Sequence, residues 1–80
     1  MTLKQLPVGA SGRVMTLTAP DGMCRRLREL GLIDGARVTC LMKSPLGDPA
    51  AYRICGAVIA LRNSDAAAVE IERTDAEWDR

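Results

Sequence analysis

Residues 21–38 read DGMCRRLRELGLIDGARV, and this stretch decides how the middle of the chain folds. Met23, Leu27 and Leu30 stand at positions i, i+4 and i+7, a spacing that puts them on one face of an α-helix. Most of the positions between them hold arginine or glutamate. The pattern predicts a short helix over residues 22–30 with one apolar stripe turned toward the core.

Both ends of this helix carry residues that favour a boundary. Asp21 is predicted to be the N-cap, because its carboxylate can accept the free amide hydrogens of the first turn. Gly31 suits the left-handed residue that follows a helix, and Leu32 can then fold back onto the last turn. Asp34 and Gly35 predict a turn into the next segment. The helix is therefore expected to be short and well bounded.

The rest of the chain has the pattern of β-structure. Five short segments are predicted as strands: 13–18, 37–43, 52–55, 57–62 and a last one around Val69 and Ile71. Closing such strands on themselves protects the edges that a small flat sheet would leave open. We therefore predict a mainly β fold, a small SH3-like antiparallel barrel of about five strands with one short α-helix inserted after the first strand.

Alternation and turn residues add detail to this prediction. In the second strand, Val38, Cys40 and Met42 are assigned to the apolar face. Residues 44–49 hold two prolines and a glycine, which excludes a central strand there and predicts a turn. Residues 63–65 predict another turn or a brief 3₁₀ segment.

Composition limits the class of protein. The formal net charge is +1, from 11 lysines and arginines against 10 acidic residues, without the basic excess typical of nucleic-acid binders. The longest apolar run, residues 54–61, is too short to cross a bilayer, which takes about 20 residues. Three cysteines without an export signal indicate reduced thiols in a cytosolic protein. We expect one domain over residues 1–72 and an acidic, flexible tail over 73–80.

The residue types argue against catalysis and against a metal site. The chain has no histidine, which removes the commonest general base and every Ser-His or Cys-His nucleophile. Cys24, Cys40 and Cys55 lack the close pairing typical of zinc sites and are interpreted as small hydrophobic residues. We therefore expect no enzyme, no cofactor and no metal.

Arg25, Arg26 and Arg28 form a basic cluster on the predicted helix. The cluster fits a solvated helix face, with Arg25 paired to Glu29, or a patch that meets an acidic protein surface or a phosphate backbone. Small barrels that bind RNA usually stack bases on aromatic side chains. This chain has no phenylalanine, one tyrosine and one tryptophan, and Trp78 lies in the tail, so no nucleic acid is expected.

The loop sequence SPLGDP, residues 44–49, has two interpretations. Its prolines restrict the unfolded chain and so pre-organise the loop at low entropic cost. Pro45 and Leu46 would then form a rigid apolar tip. The loop is either a plain hairpin turn or a contact with a partner.

Four segments in the same order resemble the FeoA family. They are Leu3, Leu6 and Gly9 of an L..L..G opening, residues 26–38 of an RL..LGL..G..V element, residues 44–49 of a PLGDP loop, and residues 56–71 of a G..IALR...A..I.V ending. The resemblance implies an SH3-like barrel that acts in the cytosol beside FeoB, the membrane transporter of ferrous iron, whose N-terminal part is a G-protein domain. It implies a non-enzymatic accessory protein that reaches the membrane only through this partner.

The motif positions and their neighbours are expected to form the partner-binding surface: Arg25, Arg26, Arg28, Pro45, Leu46, Gly47 and Asp48. Ala50 and Ala51 depart from the family pattern, where a larger apolar residue is expected. Two alternatives stay open: a barrel that binds nucleic acid through the arginine-rich helix, and an interaction module that responds to a transition metal.

Overall fold

The computed structural model describes residues 1–74 and contains five strands, two α-helices and an N-terminal 3₁₀ turn. In chain order they are the 3₁₀ turn Leu3–Gln5, β1 Ser11–Leu17, α1 Asp21–Glu29, β2 Arg37–Lys43, β3 Ala50–Ile54, β4 Ala57–Leu61, α2 Asn63–Ala66 and β5 Val69–Arg73. Of the predicted tail, residues 75–80 lie outside the described residues.

All five strands form one antiparallel sheet in the order β4-β3-β2-β1-β5. Consecutive strands pair as hairpins from β2 to β4, whereas β5 returns to the far edge and pairs with β1. The short helix α2 makes this crossing between the two edge strands. The prediction of a mainly β fold with one helix after the first strand is confirmed.

One hydrophobic core gathers residues from every strand and from α1. The largest fully buried side chains are those of Leu3, Leu6, Val14, Leu27, Leu32, Val38, Cys40, Tyr52, Ile54 and Val69. Because residues of both edge strands belong to the same cluster, the sheet must curl around it. The N-terminal turn was not predicted, and it contributes Leu3 to this core.

Helix α1 follows the predicted stripe but begins earlier than expected. Leu27 is buried, and Met23 and Leu30 pack partly buried against the core, as the spacing indicates. The N-cap prediction is wrong: Asp21 is the first helical residue, and the cap position is Pro20, which has no side-chain cap bond. Asp21 still places a carboxylate in the first turn, where the helix dipole favours negative charge.

The C-terminal end of α1 is built as predicted. Gly31 has a φ of +104°, and its N–H donates to the Arg28 carbonyl at 2.9 Å. The Leu32 N–H donates to the Leu27 carbonyl at 3.1 Å, so the chain folds back and buries Leu32. These paired bonds satisfy carbonyls that the end of a helix leaves free.

Strand β2 departs from simple alternation. Cys40 pairs with Tyr52, and Met42 pairs with Ala51. The chain therefore advances two residues along β2 while it advances one along β3. This bulge displaces Leu41 and turns Met42 outward, where it is 60% exposed. The assignment of Met42 to the apolar face is therefore wrong, while Cys40 is buried as expected.

Two connections also differ from expectation. Cys55 and Gly56 form a two-residue turn between β3 and β4 with φ values of +50° and +85°, which fits a type I′ hairpin. The segment predicted as a turn or 3₁₀ piece at residues 63–65 is the short α-helix α2. Its first residues make the contacts described next.

Candidate functional site

Arg25 and Arg28 lie exposed on the outer face of α1. Together with Asp21 and Gly22 they line a shallow depression of about 430 Å³. The predicted pair between Arg25 and Glu29 is not among the ion pairs formed within residues 1–74. Both guanidinium groups therefore face solvent beside one carboxylate, which is a surface suited to an acidic partner.

Arg26 points elsewhere and ties α1 to α2. Its Nη2 lies 2.8 Å from Oδ1 of Asp65, a hydrogen-bonded ion pair that joins positions 39 residues apart. The Arg26 side chain is 61% exposed and that of Asp65 only 15%. The contact joins α1 to α2, and sequence reasoning did not find it because no local spacing connects the two residues.

The loop over residues 44–49 presents the most exposed large apolar side chain of the described chain. Leu46 is 94% exposed at its tip, next to exposed Pro45. Gly47 has a φ of +83°, and its N–H closes the turn on the Ser44 carbonyl at 2.7 Å. The loop therefore closes as a hairpin turn and leaves the isobutyl group of Leu46 in water.

Asp48 works within the fold. Its Oδ1 accepts a hydrogen bond from the Asn63 N–H at 2.9 Å and so supplies the cap that α2 lacks from its own sequence. The loop therefore holds one end of α2, while Arg26 of α1 holds Asp65. The two predicted partner-binding segments are thus both tied to α2, the loop through Asn63 and helix α1 through Asp65.

A second basic area was missed by sequence reasoning. Arg37, Thr39, Arg53, Cys55 and Gly56 line a depression of about 360 Å³ on the outer face of β2 and β3. Arg37 lies on β2 and Arg53 on the neighbouring strand β3. The alternation of residues along each strand could have placed both arginines on the same outer face.

The three cysteines lie in different environments. The Cys24 thiol donates to the Ala19 carbonyl at 3.1 Å, and burial raises the pKa of the Cys40 thiol, although Lys43 partly opposes that shift. Cys55 is exposed, with its sulfur 3.7 Å from the Gly31 carbonyl. Nowhere in the described part of the chain do three Cys, Asp or Glu residues gather as metal ligands.

Residues 1–74 offer no exposed aromatic ring for stacking and no helix that could span a membrane. Tyr52 is 1% exposed, and burial, followed by the charge of Cys40, raises the pKa of Tyr52 to about 12. Trp78 lies beyond the described range. Over residues 1–74, neither helix is long and apolar enough to cross a bilayer.

Known proteins resemble this chain in sequence and in fold. The model of the FeoA domain matches residues 1–73. A fusion of Fe(2+) transport protein A with the Fe(2+) transporter FeoB, from Porphyromonas gingivalis, is 32% identical over 72 residues. Those residues are 90% of this chain but only 8% of the fusion protein.

Two solved structures extend the comparison. The FeoA protein of Chlorobium tepidum matches with a TM-score of 0.85 and 32% identity, over 91% of this chain and 70% of that one. The Stenotrophomonas maltophilia FeoA, a zinc complex described as a prokaryotic SH3 domain protein that possibly acts as a ferrous iron transport activating factor, matches with a TM-score of 0.80 and 37% identity, over 90% of this chain and 89% of that one. With its five antiparallel strands and its inserted helix, the chain therefore belongs to the FeoA domain family and has the SH3-like fold.

Proposed function

We propose that this protein is a cytosolic, non-enzymatic accessory factor of bacterial ferrous iron uptake that acts by contact with the cytosolic region of a FeoB-type transporter. The observation that carries the proposal is the fusion protein of Porphyromonas gingivalis, in which a relative of this chain and the transporter are one polypeptide. Domains joined in one chain act on each other at high effective concentration, which supports a direct contact between this domain and the transporter.

The surface proposed for this contact is the face formed by α1 and the loop over residues 44–49. Leu46 would insert into an apolar pocket of the partner, since burying its isobutyl group removes from water a side chain that is 94% exposed here. The ring of Pro45 and the bond from the Gly47 N–H to the Ser44 carbonyl restrain this tip, which lowers the entropic cost of ordering it on binding.

Arg25 and Arg28 would form the polar rim of the contact. Exposed guanidinium groups that meet an acidic surface mainly raise the association rate and fix the orientation. Arg26 and Asp48 are exposed as well, and their bonds to Asp65 and to the Asn63 amide tie α1 and the loop to α2.

The test is a titration of the ¹⁵N-labelled protein with the isolated cytosolic domain of FeoB, with and without a GTP analogue, followed by amide NMR. We expect localised shifts on α1 and around Leu46. Leu46→Ala should weaken binding by about tenfold, which corresponds to ~1.4 kcal/mol. Arg25→Glu should lower the association rate, an effect that added salt should diminish.

The matched control is Met15→Ala, which shortens an apolar side chain that is 50% exposed on β1 and belongs to neither α1 nor the loop. It should bind as the wild type does. Unchanged binding by both Leu46→Ala and Arg25→Glu would overturn the assignment of the surface. A silent spectrum in both nucleotide states would overturn the proposed contact with the cytosolic domain.

A further inference from the structure

The two edges of the sheet differ in whether another backbone segment pairs with them. At β5, Thr2 forms an isolated bridge with Glu70, and the Ile71 N–H donates to the Met1 carbonyl at 2.8 Å. At β4, none of the other elements within residues 1–74 pairs with the outer side of the strand. Among residues 1–74, therefore, one edge is covered and the other is open.

The register of the β3–β4 hairpin shows which backbone groups point outward. A two-residue turn joins Ile54 to Ala57, and these two residues therefore exchange both backbone hydrogen bonds. Bonded and non-bonded pairs alternate from there, so Ile59 and Leu61 also bond to β3. The N–H and C=O groups of Val58 and Ala60 consequently face away from β3, along the open edge.

The edge lacks the devices that natural sheets use to block strand pairing. Its sequence, AVIAL, has no charged residue and no proline, and the β3–β4 register runs without a bulge. Val58 is 62% exposed on the outer face, and Ile59 is only partly buried on the inner face. Both sides of the strand therefore offer apolar surface to an added neighbour.

The charge around this edge favours an acidic segment over a second copy of the chain. Strands β2, β3 and β4 contain no acidic residue but carry Arg37, Lys43 and Arg53, whereas the acidic residues of the sheet lie on β5. A second copy docked edge to edge would bring two such basic halves together, which electrostatics disfavours. An acidic segment would meet the opposite charge.

We propose that β4 binds an extended segment of a partner protein, with acidic and apolar residues in alternation, by adding it to the sheet as a sixth strand. Main-chain bonds to Val58 and Ala60 would supply affinity. Acidic side chains would lie on the outer face, where Arg53 stands across from Val58, and apolar ones would cover the open flank of Ile59. This surface lies on other elements than the α1 and loop face, and the inference is independent of the transporter.

The test uses a capped peptide of alternating valine and glutamate, about seven residues long, titrated into the labelled full chain. We expect saturable shifts and slower hydrogen exchange at the amides of Val58 and Ala60. A peptide of the same length with lysine in place of glutamate should bind at least about tenfold more weakly. Arg53→Gln should weaken binding of the glutamate peptide and reduce its dependence on salt.

Ala60→Pro separates strand addition from simple charge attraction. Proline removes one outward N–H and is tolerated on an edge strand, so the hairpin to β3 stays intact. It should reduce peptide binding by about tenfold or more, while Ala60→Thr, which keeps the N–H, should bind as the wild type does. Far-UV circular dichroism and the amide spectrum report whether each variant is folded.

Equal binding of the glutamate and lysine peptides, or unchanged binding by a folded Ala60→Pro variant, would overturn the proposal. So would a failure of the wild type to bind the glutamate peptide. Shifts at Val58 and Ala60 that depend on protein concentration without peptide would assign the edge to a second copy instead. Because the peptide replaces any natural partner, these results stand apart from those with FeoB.

Discussion

Arg26 and Asp65 lie 39 residues apart in sequence, yet Nη2 of one and Oδ1 of the other are 2.8 Å apart. This ion pair joins the longer helix to the short crossing helix. Since the arginine side is well exposed, its contribution to stability is modest, about 0.5 kcal/mol. Urea unfolding of Arg26→Ala, Asp65→Ala and the double variant should give a coupling energy of that size, and it should shrink in high salt. Strictly additive losses of stability would show that the two side chains lie close together without a favourable interaction free energy.

Asp48 caps a helix to which it does not belong. Asp48→Ala removes the acceptor of the Asn63 N–H and should lower the free energy of unfolding by about 1 kcal/mol. Asp48→Asn keeps a side-chain oxygen and should lose much less. Hydrogen exchange at the Asn63 amide, followed with urea unfolding, checks both values. Equal losses in the two variants would mean that charge, not the hydrogen bond, is what matters at this position.

Tyr52 makes stability depend on alkaline pH. Its pKa is raised to about 12 by burial and by Cys40, above the ordinary value of 10.0, so between these values the folded state keeps a proton that the unfolded chain has lost. Its contribution is complete below pH 10 and is lost as pH rises, by about 2 kcal/mol near pH 12. Tyr52→Phe keeps the ring and should remove this part of the decline.

Unfolding curves measured at several alkaline pH values check this prediction. The chain has a single tyrosine, so phenolate absorbance follows its ionisation directly. It should rise together with unfolding and not before it. An equal alkaline loss in the wild type and in Tyr52→Phe would assign the whole effect to other groups, including the Cys40 thiol.

Two glycines of the helical region should respond to alanine in opposite directions. Gly31 has a φ of +104°, and an added Cβ would lie 3.1 Å from Cγ2 of Ile54, so Gly31→Ala should cost about 1–3 kcal/mol. Gly22 lies inside α1 with open space around its Cβ position, so Gly22→Ala should gain about 0.5–1 kcal/mol. Thermal or urea unfolding of both variants tests the pair, and a gain from Gly31→Ala would contradict this account of the helix end.

The sequence predicted what local rules control. Helical spacing identified the stripe of Met23, Leu27 and Leu30, and the residue type of Gly31 identified the helix end, because both depend on neighbours within one or two turns. The bulge that exposes Met42 could not be read this way, since the count of residues facing β3 depends on how two strands align.

The candidate site shows the same division. The arginine cluster and the proline loop were found from residue types alone. Their connection through Asn63 and Asp65 was not, because it arises only when the crossing helix α2 places two polar residues between distant segments. The open edge at β4 likewise follows from strand order, which no local pattern encodes.

The position of β5 beside β1 has a consequence for synthesis of the protein on the ribosome. The last strand of the sheet pairs with the first, so Val69 and Ile71 close a core whose other members have already emerged. Until that happens, the nascent chain shows the buried side chains of β1 and a free strand edge, a species prone to aggregate. Completion of the fold therefore waits until β5 has left the exit tunnel, and a ribosome that stalls before that point holds an unfinished domain.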